Sequence, residues 1–244
     1  WRRTHNYEHH TYTNINEMDS DLHTGGLLRL SPEQDWRPWH RLQHLYAFPI
    51  YTLLSLSWVT YSDFSKLFSG RIGEYRLRKT SPLEMATFFL SKASYFGYTL
   101  VLPLLFHPVL HVLIAFVGIH LLMGFTFSIT FQLAHTLEGA TFPRPDTDTG
   151  SIENEWAIHQ VETTANFAPK NKVAAWYLGG LNYQIEHHLF SEICHIHYPA
   201  ISGIVKQTCQ DYSIDYVSYP TLRSAVGAHY RFLKTLGKSP VPSP

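Results

Sequence analysis

Residues 109–134 read VLHVLIAFVGIHLLMGFTFSITFQLA, a run without one charged side chain. A helix of about 20 apolar residues crosses the roughly 30 Å hydrocarbon core of a bilayer, so this run predicts a membrane-crossing helix. Just upstream, ATFFLSKASYFGYTLVLPLLF at residues 86–106 predicts a second crossing. Its one charge, Lys92, stands near the start, where a long side chain can snorkel to the interface. His107 and Pro108 form the turn between the two. A third apolar segment, HLYAFPIYTLLSLSWVTY at residues 44–61, is shorter, broken by Pro49 and rich in Tyr and Trp. Those aromatic residues favour the membrane interface, so this segment is read as an interfacial or half-buried helix. The expected fold class is all-α, an integral membrane helical bundle.

Around this core the 244 residues carry 19 basic and 19 acidic side chains, a formal net charge of zero. No long-range field therefore marks the chain as a nucleic-acid binder, and that class is excluded. Histidine is over-represented, with 16 residues, and aromatic residues make up 15% of the chain. Imidazole is the commonest metal ligand among side chains and the one that titrates near neutrality, so the excess points to metal or proton chemistry. Cys194 and Cys209 are the only cysteines, too few for a disulfide framework or an iron–sulfur site, and are read as free thiols in a reducing compartment. The chain opens on WRRTHNYEHH without an initiator Met or a signal-like run, so an upstream part is expected to be missing.

The histidines are clustered. Residues 5–10 read HNYEHH and residues 184–188 read QIEHH. On a helix His5 and His9 project from one face, with His10 about 100° round from His9. His40 and His44 share that spacing and are assigned no metal; His229, in the polar tail, is read as solvated. For the paired clusters a shared metal is the better account, because several neutral imidazoles facing one another are costly unless something cationic holds them. If both clusters meet at one site, an even number of membrane crossings must separate them, and the two predicted crossings suffice. Arg71, Arg76, Arg78 and Lys79 precede the first crossing, so the positive-inside rule puts both clusters in the cytoplasm. Beyond residue 134 follow a loop with Pro143, Pro145 and Gly150, a helix expected over about 152–168, a break at Gly179 and Gly180, and a mixed helical tail from Ile201.

WRRTHNYEHHTYTNI resembles the second histidine box of the membrane fatty acid desaturases, in its H-x-x-x-H-H form, and GGLNYQIEHHLF resembles their third box in the Q-x-x-H-H form. The Gln in the first place of that box is characteristic of front-end and related bacterial acyl desaturases. FQLAH (131–135) and HQVETTANFA (159–168) are similar to further segments of the family. The resemblance covers nearly the whole chain and implies a fatty acid desaturase domain over residues 1–244. It further implies a non-haem diiron centre, two iron ions held mainly by histidines, as a cap at the cytoplasmic end of the bundle.

Carried over residue by residue, the resemblance makes His5, His9 and His10 the ligands of the second box and His187 and His188 those of the third. Gln184 stands where other members have a ligand histidine; its amide oxygen either binds iron or only a water. His159 aligns with an additional ligand between boxes, and His135 is a further candidate. His195 and His197 are read as structural, or as supporting the ligands. The family's first box, an H-D-x-x-H type motif, belongs upstream of residue 1, which leaves the chain by itself open to being non-catalytic. Ser191 replaces the Pro usual after HHLF.

Removing hydrogen from an unactivated methylene exceeds what side chains can do, so metal and dioxygen must carry it. Imidazole suits iron, and two irons can store the electrons that activate dioxygen. The implied reaction is desaturation of a fatty acyl substrate, acyl-CoA or acyl-lipid, by O2 and an external electron donor such as ferredoxin or cytochrome b5, in contact with membrane lipid. Glu8 and Glu186 lie inside the boxes and, with Asp19 and Asp21, are candidates for orienting ligand histidines, against the alternative of exposed carboxylates. A hydroxylase of the same histidine-box superfamily remains an alternative. A membrane haem carrier built on His107 and His120 lacks a matching histidine pair, and ferritin-like chemistry fails because only Glu192 and His195 form an E-x-x-H.

Overall fold

The structure, a computed structural model, describes residues 4–72, 75–76 and 80–238. The described residues are mainly helical, with two pairs of two-residue strands. The chain divides into two compact units: residues 1–47 with 130–244, and residues 48–129. Arg78 and Lys79 of the basic cluster lie outside the described residues, as do the side chains of Arg71 and Arg76 and most of the KSPVPSP terminus.

Within the unit of residues 48–129, helix runs through 54–69 with a π turn at Trp58–Ser62, and stops at Gly70, whose φ of 62° is the left-handed conformation glycine adopts without strain. The segment read as 44–61 is thus two helical pieces: Gln43–Tyr51 ends two residues after its Pro49, and the second piece continues past residue 61. Pro49 supplies no N–H to its own turn, and the bonds that follow are short-range ones from Thr52 to Pro49 and from Leu53 to Ile50.

Ser81 then opens the helix Pro82–Phe96 with a reciprocal cap: its hydroxyl accepts from the Glu84 N–H and its own N–H donates to the Glu84 carboxylate at 2.8 Å. The run continues through the π turn Gly97–Val101 to Leu104. The Lys92 ammonium donates to Asp63 Oδ2 at 2.7 Å and to the Val59 carbonyl at 3.1 Å.

Val109–His135 is one unbroken helix, about 40 Å long at 1.5 Å per residue. Among the described residues it is the one regular helix long and apolar enough to cross a membrane. Most of its large aliphatic side chains point outward, with Leu110 66%, Ile114 62% and Leu122 67% exposed against buried Val112 and Leu133, whereas the core helix of a water-soluble domain buries most such residues. Its small residues make the inward contacts. Gly124 sits so near Thr52 that a Cβ would lie 2.2 Å from that carbonyl oxygen, and the Ser128 hydroxyl donates to the Tyr51 carbonyl. His120 is buried between the Ser55 hydroxyl at 2.9 Å and the Tyr95 hydroxyl at 2.6 Å, so both ring nitrogens are occupied and neither is left for a haem iron.

In the other unit, Val161, Ile185, Val205 and the free thiol of Cys209 form a core that joins the helices Trp156–Glu162, Gln184–Leu189 and Tyr198–Asp211. The helix expected over 152–168 is only Trp156–Glu162. The Thr163 hydroxyl bonds back to the His159 carbonyl and Asn166–Phe167 leaves as a strand, parallel to Ser218–Tyr219. Ala168, at φ 48°, completes the departure. The tail helix Leu222–Leu236 is capped by Thr221 and buries Ala225, Ala228, His229, Leu233 and Leu236, one stripe at spacings of three and four.

Candidate metal centre

The first histidine cluster lies on a helical run that begins as the π-helix Thr4–His9 and continues as His10–Tyr12. A π turn bonds i to i+5, and it changes which histidines pair. His5 and His10, five apart, bring their Nε2 atoms to 3.3 Å of each other, while the His9 Nε2 lies 3.2 Å from that of His135. The expected stacking of His5 on His9 is present, with ring centroids 5.4 Å apart, and beside it the π turn creates two three-histidine groupings. His5, His10 and His187 converge in one, and His9, His135 and His188 in the other; within each, one nitrogen per ring lies within 4.8 Å of the others. The two groups adjoin, since the rings of His10 and His188 stack at 4.2 Å and those of His9 and His188 meet edge-on at 5.0 Å.

The His9 group is completely enclosed, and each of its rings has an acceptor behind it. Asp19 faces His9 Nδ1 with both carboxylate oxygens at 3.1 Å, the Thr163 carbonyl lies 3.3 Å from His135 Nδ1, and Gln160 Oε1 lies 2.8 Å from His188 Nδ1. An acceptor at Nδ1 holds the ring proton there and leaves the Nε2 lone pair free. The Nε2 atoms of His9 and His135 lie 3.2 Å apart in a buried space with His188 grouped beside them, an arrangement that suits a cation at its centre. The His5 group is more open: the Tyr198 hydroxyl is 3.4 Å from His187 Nδ1, and His10 Nδ1 and His187 Nε2 are buried without partners.

Electrostatics agree with the geometry. Burial, joined by repulsion from neighbouring histidines, pushes His5 and His10 down to about 3 and His187 down to about 4, and holds His188 well below the ordinary histidine value. His9 is the exception: burial works against its charge, but the carboxylates of Asp19 and Asp21 outweigh it and raise the ring to about 9. Asp19 in turn is held below the usual carboxylate range; burial would raise it, but His9 and the N–H groups of Asn14 and Asp21 prevail. A buried nest of imidazoles with one internal anion and room for little positive charge beyond it fits a metal site. The donor set, imidazole with a nearby carboxylate, suits iron and equally zinc.

A staple keeps the parts together. Asn14, at φ 59°, directs its side-chain amide toward the carbonyls of His135, Thr141 and Thr163 at 2.9, 3.0 and 3.2 Å. It thereby ties the first cluster to the end of the long helix and to the segment after Glu162. Asn14, Thr13 and Gln160 were not singled out by sequence reading; Gln160 alone carried a hint, standing next to His159 in the family-like HQVETTANFA.

Of the other expected ligands, Gln184 is buried at the start of the helix that carries His187 and His188, and His159 is buried with an unpartnered Nε2 but joins neither group. Glu186 does not support a ligand histidine: its carboxylate accepts from Asn166 Nδ2 at 2.7 Å and from the Tyr216 hydroxyl at 2.9 Å, and burial raises its pKa against those bonds. Glu8 is buried rather than exposed. His195 and His197 are exposed; the His195 Cβ packs against Gly180, where a Cβ on the glycine would come within 2.7 Å. His40 is buried and bonded to the backbone of Arg37 and Gly26, and with His44 stays out of the cluster.

A family model described as fatty acid desaturase matches residues 1–220. Among curated relatives, the sn-1 linoleoyl-lipid 6-desaturase of Synechocystis sp. is 40% identical over 240 residues, covering 98% of this chain and 67% of that protein. The acyl-lipid (8-3)-desaturase of Physcomitrium patens is 37% identical, covering 97% of this chain and 50% of that protein. The acyl-lipid (8-3)-desaturase of Mortierella alpina is 33% identical, with 98% and 54% covered. The chain thus spans between half and two thirds of the length of these relatives. No solved structure matches it.

Proposed function

The chain belongs to the fatty acid desaturase family, and we propose that it forms the metal-binding part of a membrane-bound acyl-lipid desaturase. The observation that carries this reading is the pair of adjoining histidine groups, His5, His10 and His187 beside His9, His135 and His188, each with converging nitrogens. We assign one iron ion to each group. Such a pair, when bound, supplies the oxidising power that dioxygen and two external electrons bring to two neighbouring methylenes of an acyl chain. Gln184 and His159, both buried in the same unit, are proposed as additional ligands, Gln184 directly or through water.

The chain's own residues do the preparation. Asp19 and the Thr163 carbonyl face Nδ1 of His9 and His135, so Nε2 is the nitrogen each ring turns toward the metal; His9, which its carboxylates hold protonated near neutrality, would give up its Nε2 proton as the metal binds. Asn14 fixes the distance between the first cluster and the end of the long helix. Burial of the His9 group keeps water away from nitrogens that would otherwise be hydrated. The substrate class follows the relatives, whose names specify acyl-lipid and linoleoyl-lipid substrates. The exposed aliphatic surface of Val109–His135 supports an integral membrane protein, with the metal site facing the cytoplasm and an electron donor such as ferredoxin or cytochrome b5 approaching from there.

The test is elemental analysis joined to product analysis. Full-length protein purified in detergent should contain close to two irons per chain, and cells expressing it should accumulate acyl-lipids with a new double bond, located by mass spectrometry. His188→Ala should remove iron and product together, whereas His197→Ala, on an exposed ring outside both groups, should leave both in place. Zinc alone, or protein without metal after anaerobic handling, would sink the iron assignment; a hydroxylated product would keep the site and change the reaction.

A further inference from the structure

Gln160 is completely buried on the helix Trp156–Glu162, and the two ends of its amide are treated unequally. The oxygen is crowded: His188 Nδ1 lies 2.8 Å from Oε1, and the Thr13 hydroxyl lies 3.0 Å from the same oxygen, its single proton shared between it and the His9 carbonyl. The nitrogen, also buried, has no partner. A buried amide N–H2 left unbonded is a standing cost, so the arrangement persists only if the oxygen is needed where it is.

Turning the amide over shows what the oxygen does. The N–H2 would then face His188 and Thr13, and His188 Nδ1 would have to accept. Its ring proton would move to Nε2, the atom that converges with nitrogens of His9 and His135. The Thr13 hydroxyl would be free to donate only to the His9 carbonyl, 2.6 Å away. The two orientations of one side-chain amide thus correspond to the two tautomers of His188, and only one of them offers a lone pair to a metal.

We propose that Gln160 is a positioning residue that selects the metal-binding tautomer of His188, acting purely as an acceptor and seated by Thr13. The inference rests on the reading of the His9, His135 and His188 group as an iron site. It makes a particular demand of substitutions: the side-chain nitrogen is dispensable and the oxygen is not. Glutamate keeps an acceptor opposite Nδ1 and loses only an unbonded N–H2. Methionine keeps the length and bulk but removes the acceptor.

The experiment compares Gln160→Glu and Gln160→Met in full-length protein purified in detergent, reading iron per chain, ferrous iron affinity, the iron midpoint potential, and helix content by circular dichroism. Gln160→Glu should retain iron and lower the midpoint potential, since a carboxylate behind the ring makes the ligand more basic. Gln160→Met should weaken iron binding about 10- to 100-fold, the usual effect of removing a partner behind a ligand, at unchanged helix content. Iron retained in Gln160→Met, or lost equally from both folded variants, would overturn the proposal. Should Gln160→Met fail to accumulate, Gln160→Glu still decides: loss of iron, or an unchanged potential, rejects it. Absence of iron from the unmutated protein would be a different failure, that of the iron site itself.

Discussion

His229 stands in a polar stretch and in no histidine box, and a solvated ring is the ordinary expectation there; instead it is completely buried, and its Nδ1–H donates to the carbonyl of Thr136. That carbonyl belongs to the end of the long helix, where carbonyls lack partners of their own. The stripe of the tail helix, Ala225, Ala228, Leu233 and Leu236, shows on inspection that residue 229 falls on its inner face, a signal that reading by local polarity passes over. Burial pushes this ring down to about 4. Between pH 6.5 and about 4 the unfolded chain therefore binds a proton that the folded one refuses, and stability falls as the pH drops through that window. The loss amounts to something on the order of 3 kcal/mol and is absent above the ordinary histidine value. His229→Ala should remove this pH dependence but destabilise the fold by about 2–4 kcal/mol, through a cavity and an orphaned carbonyl. Thermal unfolding of both proteins at pH 7.5 and pH 5 checks it; a variant as stable as its parent at pH 7.5 would contradict the buried role. That the histidines at 5–10 and at 187–188 come together was legible because they stand in recognisable boxes. Of their supports only Asp19 was legible, as an acidic residue just after the first cluster; the carbonyl at 163 and the amide at 160 were not, because they meet the rings only after folding.

At the scale of elements, apolar runs foretold where helices lie and missed how they are wound. Composition does not announce the π turns at Thr4–His9, Trp58–Ser62 and Gly97–Val101, yet the first of them decides which histidines share a group. Likewise the loop-rich segment from 140 to 155 and the short helix after it reflect contacts made elsewhere, such as the Thr141 N–H bonded to the Glu162 carbonyl. Two glycines of the long helix give a controlled comparison. A Cβ on Gly124 would sit 2.2 Å from the Thr52 carbonyl oxygen, a backbone atom with little freedom to retreat; a Cβ on Gly118 would meet nothing within 4 Å. Gly124→Ala should therefore cost about 1–3 kcal/mol, while Gly118→Ala should gain about 0.5–1 kcal/mol from reduced backbone freedom in the unfolded chain. Heat-induced loss of helix signal in detergent measures both, and equal behaviour of the two variants would show that the helix does not pack on residues 52–54 as described.

For the whole molecule the question is which side of the membrane each part occupies. The two histidine clusters meet in one unit, so any membrane crossings between His10 and His187 must be even in number. Single cysteines at exposed positions near residues 6 and 197, placed in a background lacking Cys194 and Cys209, should both be labelled by an impermeant reagent from the cytoplasmic side; opposite labelling would break the shared site. Of the two apolar runs read as crossings, 109–134 forms a single helix long and apolar enough to span, whereas 86–106 is interrupted by the π turn Gly97–Val101; the division into units was not legible, since it depends on where the chain folds back. The same geometry constrains the order of events in synthesis. His9 and His135 are 126 positions apart, and Thr13 meets His188 across 175. A ribosome delivers the chain from one end, so the apolar helices emerge and can enter the bilayer while the first cluster still waits for residues 187 and 188. Neither metal group can be complete before then. On the proposed reading, membrane insertion would precede metal loading, and the early histidines would stand without their partners until the last residues of both groups are made.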